Sequence, residues 1–189
     1  MNLPVSSPLR HSIRLPGFDY SQAGAYFVTM VTQNRKLLFG KVMDGEMVVN
    51  DLGRAVEKLW LEIQEHFDGV NVDTFVVMPN HLHGIIEIDN EGRISSVAAR
   101  HAVPQHEDNF EMFGKPVRGS IPTIIRSFKS AVTKQYHEMT NTQNARLWQR
   151  NYYEHVIRDE KEYQAIYDYI LTNPQNWEKD EENQARILV

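Results

Sequence analysis

The 189-residue chain contains no cysteine. Disulfides and thiolate chemistry are therefore excluded, and a bound metal would have to use histidine, carboxylate, amide or water ligands. No stretch reaches the roughly 18 apolar residues that a membrane helix needs. The opening MNLPVSSPLRHSIRL has no apolar core of signal-peptide kind. A soluble, cytoplasmic protein without membrane contact is expected. An overall positive charge is missing too: 20 basic residues face 25 acidic ones, for a net charge of −5. Taken as a sum, that speaks against nucleic-acid binding. Internal repeats and low-complexity tracts are absent. What is present, 41% apolar and 24% charged residues, suits a globular domain with a real core.

The charges are unevenly distributed. From Lys115 to Arg150 there are seven positive residues and only one negative, Glu138. Acidic residues then crowd the C-terminal region, among them Asp159, Glu160, Glu162, Asp168, Glu178, Asp180, Glu181 and Glu182. Such polarity arises from solvated faces or from one surface that meets a polyanion.

Residues 1–20 carry three prolines and read as an irregular leader. AYFVTMVT (25–32) is β-branched and aromatic, as strands are. FGKVMDGEMVVN (39–50) reads as a hairpin turning at Asp44-Gly45. Asn50 or Asp51 caps a helix predicted to run to about Phe67, with Ala55, Leu59, Ile63 and Phe67 on one face. VNVDTFVVM (70–78) and HLHGIIEI (81–88) are strands broken by Pro79-Asn80. Residues 89–121 form a long loop or insertion without periodicity. PTIIRSFKSAVTKQYHEM (122–139) is an amphipathic helix that buries Ile124, Phe128, Ala131 and Val132 and shows Arg126, Lys129 and Lys134 on its other side. YYEHVIR (152–158) is strand-like, and Asp159 caps a helix through about Thr172, which Asn173-Pro174 ends. The predicted organisation is one domain over 21–180 with a tail at 181–189. Its class is α+β: a ferredoxin-like βαββαβ core with an antiparallel sheet, plus the C-terminal helix.

Three constellations carry chemistry. In His81-Leu82-His83 the two imidazoles point to one side of a strand and Leu82 to the other. Two ordinary, separately hydrogen-bonded histidines would look the same; apolar strand on both sides sets the pair on a rigid scaffold, which suits a metal platform. Gly84 leaves room for close approach of a backbone or ligand. On the last helix, Tyr169 and Asn173 stand one turn apart, a phenol beside an amide oxygen. A phenol next to a metal-bound phosphate can act as a nucleophile, although packing alone would also explain a tyrosine there. Ile166, Ile170 and Tyr163 read as packing. LWQRNYYEHVIRD (147–159) interleaves Trp148 and tyrosines with Arg150, which suits stacking and phosphate contact on single strands as well as a half-buried edge strand.

The segments RLPGFDYSQAGAYFVTMVT, FVVMPNHLHGIIEI, IIRSFKSAVTKQ, LWQRNYYEHVIRDEKEY and YILTNPQNW resemble the REP-associated tyrosine transposases, relatives of the single-tyrosine HUH insertion-sequence transposases. The likeness runs from about residue 10 to residue 180. It implies an RRM-like, ferredoxin-type fold. It implies Mg²⁺ or Mn²⁺ bound by His81 and His83, with Asn173 as third ligand where the insertion-sequence relatives usually have Gln. Tyr169 would then be the nucleophile, preferred over Tyr152, Tyr153, Tyr163 and Tyr167 because it alone has an amide four residues on, followed by Pro174. The implied activity is cleavage and rejoining of single-stranded, palindromic hairpin DNA through a 5′-phosphotyrosine, by a monomer or homodimer working at the bacterial nucleoid. Arg126, Lys129, Lys134, Arg150 and Trp148 would contact the DNA. The alternatives are a catalytically silent RRM-like nucleic-acid-binding module and a metal-dependent hydrolase without a covalent intermediate.

Overall fold

The computed structural model describes residues 18–89 and 117–183. The predicted tail beyond 183, most of the 89–121 insertion and most of the leader lie outside the described residues.

Among the described residues, ten strands and α-helices follow one another: β1 (Gly24–Val31), β2 (Gly40–Met43), β3 (Glu46–Val49), α1 (Asp51–Leu61), α2 (Ile63–His66), β4 (Val70–Val77), β5 (His81–Ile88), α3 (Ile121–Thr140), β6 (Tyr153–Ile157) and α4 (Glu160–Thr172). Short 3₁₀ turns sit at Gln33–Arg35 and Pro174–Lys179. Four strands form one antiparallel sheet in the order β4-β5-β1-β6. That is the arrangement expected of a βαββαβ core, since each helical crossover skips one strand position. β2 and β3 form a separate hairpin whose Asp44 and Gly45 both have positive φ, 51° and 78°. A tight two-residue turn of this hand needs that conformation at both positions, and Asp-Gly supplies it.

The sheet divides the apolar residues by strand parity. One face turns Val28, Met30, Leu82 and Ile86 into the main core with Val56 and Trp60 of α1 and Ile124, Phe128 and Val132 of α3. The opposite face turns Phe27, Ile85 and Ile157 toward Ile170 of α4. The helices thus lie on both faces, and the last one covers the side on which the histidines stand. Asn50 caps α1 by accepting from the Gly53 N–H at 2.9 Å, and Asp159 caps α4 by accepting from the Glu162 N–H at 2.9 Å.

Two expectations need correction. The first helix breaks at Glu62 instead of running to Phe67, and its buried face carries Leu52, Val56 and Trp60, continued by Ile63 at the start of α2. Ala55 and Leu59 sit beside that face. The bulk of Trp60 sets the rotation, because its wholly buried indole fills the space under β5. The end of the leader is also tied in: Tyr20 is buried, with Phe18 packed against it at a ring separation of 4.9 Å.

The room at Gly84 is taken by this core. A Cβ placed there would lie 2.5 Å from Trp60 Cζ2. Gly84→Ala should therefore destabilise the fold by about 1–3 kcal/mol through overpacking. Urea denaturation would measure it, and the cost should shrink in a Trp60→Leu background where the clash has no partner.

Candidate active site

Strand parity brings His81 and His83 out on the α4 face, opposite Val31 and Thr29 of β1 respectively. Both are buried, and their rings lie 4.4 Å apart. A neighbouring amide sets the tautomer of His81. Asn80 Nδ2 donates to the Glu182 carbonyl at 2.7 Å and to the Arg35 carbonyl at 3.2 Å. Its Oδ1 is thereby turned to His81 Nδ1, 2.8 Å away, and can only accept. His81 must carry its proton on Nδ1, so a lone pair stays on Nε2. That Nε2 is buried without a hydrogen bond. His83 Nδ1 lies 2.8 Å from Thr29 Oγ1, and its Nε2 lies 3.2 Å from the Tyr169 hydroxyl. With Nδ1 protonated toward Thr29, Nε2 holds a lone pair that Tyr169 donates to. Second-sphere contacts of this kind are what orient metal-binding imidazoles.

The C-terminal end of α4 closes the cluster. Asn173, 2% exposed, donates from Nδ2 to Asp180 Oδ2 at 3.1 Å, while its Oδ1 is buried with no partner. Asp180 Oδ2 stands 3.9 Å from His81 Nε2. Ligand atoms of His81, His83 and Asp180 all fall within 4.8 Å of one another. A buried imidazole nitrogen and a buried amide oxygen, both without a hydrogen bond beside a carboxylate, could hold a hard or borderline divalent cation. Burial pushes His81 down to about 4, against the opposing pull of Asp180, and burial together with His81 lowers His83 well below its usual value. Both imidazoles are neutral at physiological pH, as metal ligands must be.

Tyr169 keeps 46% of its surface exposed while its hydroxyl reaches the cluster. Burial of the phenol and the Asp180 charge push it up to about 12. The structure therefore brings the His81/His83 pair and the Tyr169/Asn173 pair together within one chain, a meeting that spacing alone left open. Asp180 is the residue that sequence reading missed: it sits in an acidic run, and a 3₁₀ turn after Pro174 delivers it with no periodicity to reveal it. Trp177 of that turn lies over His81 at a ring separation of 6.0 Å.

The residues expected to touch DNA separate. Trp148 is not a stacking platform. Segment 147–149 bonds to the end of β1, with Gln149 N donating to Val31 O at 2.9 Å, and this turns the indole into the core, 5.3 Å from Phe39. Lys129 is tied down: its Nζ donates to the Gln149 carbonyl at 2.6 Å, and burial lowers it to about 8. Arg126, Lys134 and Arg150 are exposed. Two open clefts of about 730 and 720 Å³ flank the 146–150 segment; the first is lined by Lys134, Arg146 and Arg150 and the second by Arg35, Arg146 and Arg150. Arg126 lines neither cleft. No described helix is long and apolar enough to cross a membrane.

No family model matches the chain. An uncharacterized protein of Haemophilus influenzae is 42% identical over 172 residues, 91% of this chain and 92% of that protein. A second Haemophilus influenzae protein, named "Putative REP-associated tyrosine transposase", is 24% identical over 82% of this chain and 73% of its own length. A solved structure of a REP-associated tyrosine transposase bound to a REP hairpin aligns with 80% of this chain and 67% of its own, at 20% identity and a TM-score of 0.45.

Proposed function

The chain belongs to one family with its 42%-identical Haemophilus relative and is kin to the REP-associated tyrosine transposases, and from that position we propose that it cuts and rejoins single-stranded hairpin DNA through Tyr169. One observation carries the reading: the Tyr169 hydroxyl lies 3.2 Å from His83 Nε2, beside the unpaired His81 Nε2 and Asn173 Oδ1. A nucleophile and a set of metal donors share one buried corner of the same chain, so the proposed site needs no second copy to be complete.

His81, His83, Asn173 and Asp180 would hold the cation. When bound, Mg²⁺ or Mn²⁺ would neutralise phosphate charge and favour the phenolate. Asn80 holds His81 in the ligating tautomer, and Thr29 Oγ1 would accept the Nδ1 proton of a ligating His83. Tyr169 Oη forms a bond to phosphorus as the P–O3′ bond breaks. The phenolic proton is released, the 3′ oxygen leaves and is protonated, and the 5′ phosphate stays on the tyrosine. One phosphoester replaces another, so attack by a 3′-OH reverses the step without ATP. Lys134, Arg146 and Arg150, with Arg126 farther along α3, supply cations for the DNA backbone.

A denaturing gel of labelled single-stranded hairpin DNA tests this reading. A slowly migrating covalent species is expected with Mn²⁺ or Mg²⁺, none in EDTA, and recovery when metal is added back. Full-rate cleavage in chelator excludes the metal role. Cleavage without an adduct identifies a hydrolase, and tight binding without cleavage identifies a silent binding module.

A further inference from the structure

Tyr163 does more than pack. Its hydroxyl is hydrogen-bonded to Asp73 of β4 and, at 2.9 Å, to Glu87 of β5. A phenol has one proton to donate, yet here two carboxylates from two strands converge on one oxygen. Asp73 follows core-facing Val72, so strand alternation puts it on the α4 side. Val72 pairs with Ile86 and Phe75 with Gly84, so β4 spends one more residue than β5 between those pairs. That extra residue returns Phe75 to the main-core side, while Asp73 keeps its bond to Tyr163 on the other.

The helix that Tyr163 belongs to is held by apolar and polar contact together. Ile170 is its one fully buried residue, and with partly buried Tyr163 and Ile166 it packs against Phe27, Ile85 and Ile157. Polar ties are added at its first turns: Tyr163 to β4 and β5, and Glu162 to His155 of β6 at 2.7 Å. Burial and both carboxylates raise the Tyr163 phenol far above its ordinary value, so its proton stays in the bond at any physiological pH. Tyr169 lies less than two turns farther along the same helix, so a swing of the first turns is carried to the hydroxyl that meets His83.

We infer that the Tyr163–Asp73–Glu87 contact is a latch that sets the position of the Tyr169 helix, making Tyr163 a positioning residue for the DNA-cleaving step. The role in cleavage rests on the function proposed above; the latch itself does not. Asp73 and Glu87 are its strand-borne halves.

The test uses full-length protein in two arms. In the first, hydrogen exchange is followed on metal-free, DNA-free protein. Tyr163→Phe should speed exchange of amides 166–173 at least tenfold while β1 and β5 stay protected, and the Asp73→Ala/Glu87→Ala double variant should do the same. Unchanged exchange overturns the latch whatever the protein does to DNA. In the second arm, adduct formation and hairpin binding are measured side by side with Mn²⁺. Tyr163→Phe should lower the adduct rate at least tenfold with binding within threefold of the parent. Because the chain has no cysteine, a Tyr163→Cys/Asp73→Cys pair joined by a short bis-maleimide can restore the tie, and should restore most of the adduct rate. Faster exchange with an unchanged adduct rate would overturn the positioning role. An unmodified protein that forms no adduct at all would instead sink the functional reading, with the latch still decided by exchange.

Discussion

Tyr169→Phe should abolish the covalent protein–DNA species, lowering its formation by at least about a thousandfold, while hairpin affinity changes by no more than about threefold. The separation follows from the geometry. Substitution removes one oxygen and leaves the ring in place, edge-on to Phe27 at 6.1 Å and beside His83 at 5.2 Å. The fold loses a single hydrogen bond to His83, worth about 0.5–1.5 kcal/mol. Thermal melting should therefore move little. Tyr163→Phe offers the contrast, since its hydroxyl is held by two carboxylates and is not free to attack. Adduct formation by Tyr169→Phe at the parent rate would remove Tyr169 from the chemistry and send the search to Tyr153, the exposed tyrosine on β6.

Periodicity explains which parts of this arrangement could be read from the chain. A strand repeats every two residues, so His81 and His83 had to share a face and Leu82 had to enter the core, as it does. A helix repeats every 3.6 residues, so Tyr169 and Asn173 had to lie together. Contacts made outside a repeating element left no such trace. Asp180 arrives through a 3₁₀ turn, and Trp148 is buried because an irregular segment bridges to the end of β1. The bulge that returns Phe75 to the main core lies in VNVDTFVV, where no glycine or proline marks it. The pairing register of two strands, a long-range property, creates it. The rotation of α1 differs by one residue from the periodic pattern for a related reason: Leu59 and Trp60 are both apolar, and the volume available beneath Gly84 chooses between them.

His81→Ala should remove high-affinity Mn²⁺ binding, weakening it about a hundredfold or more by calorimetry, because outer-sphere changes alone cost 10–100-fold and this substitution deletes a donor. Asn80→Ala should fall within that outer-sphere range: it leaves both imidazoles in place but frees His81 to adopt the tautomer that protonates Nε2. Asp180→Ala separates two roles for the carboxylate. As a ligand its loss should approach that of His81→Ala, whereas as a partner of Asn173 Nδ2 alone it should cost about as much as Asn80→Ala. The metal-free protein adds a pH signature. His81 is held at about 4 in the folded chain against an ordinary 6.5, so between those values the unfolded chain binds more protons. Stability must then fall as pH drops from about 6.5 toward 4, and His81→Ala should flatten part of that slope. Mn²⁺ affinity equal to the parent's in His81→Ala would mean that the cation binds elsewhere, and that the unpaired Nε2 and Oδ1 serve some other ligand.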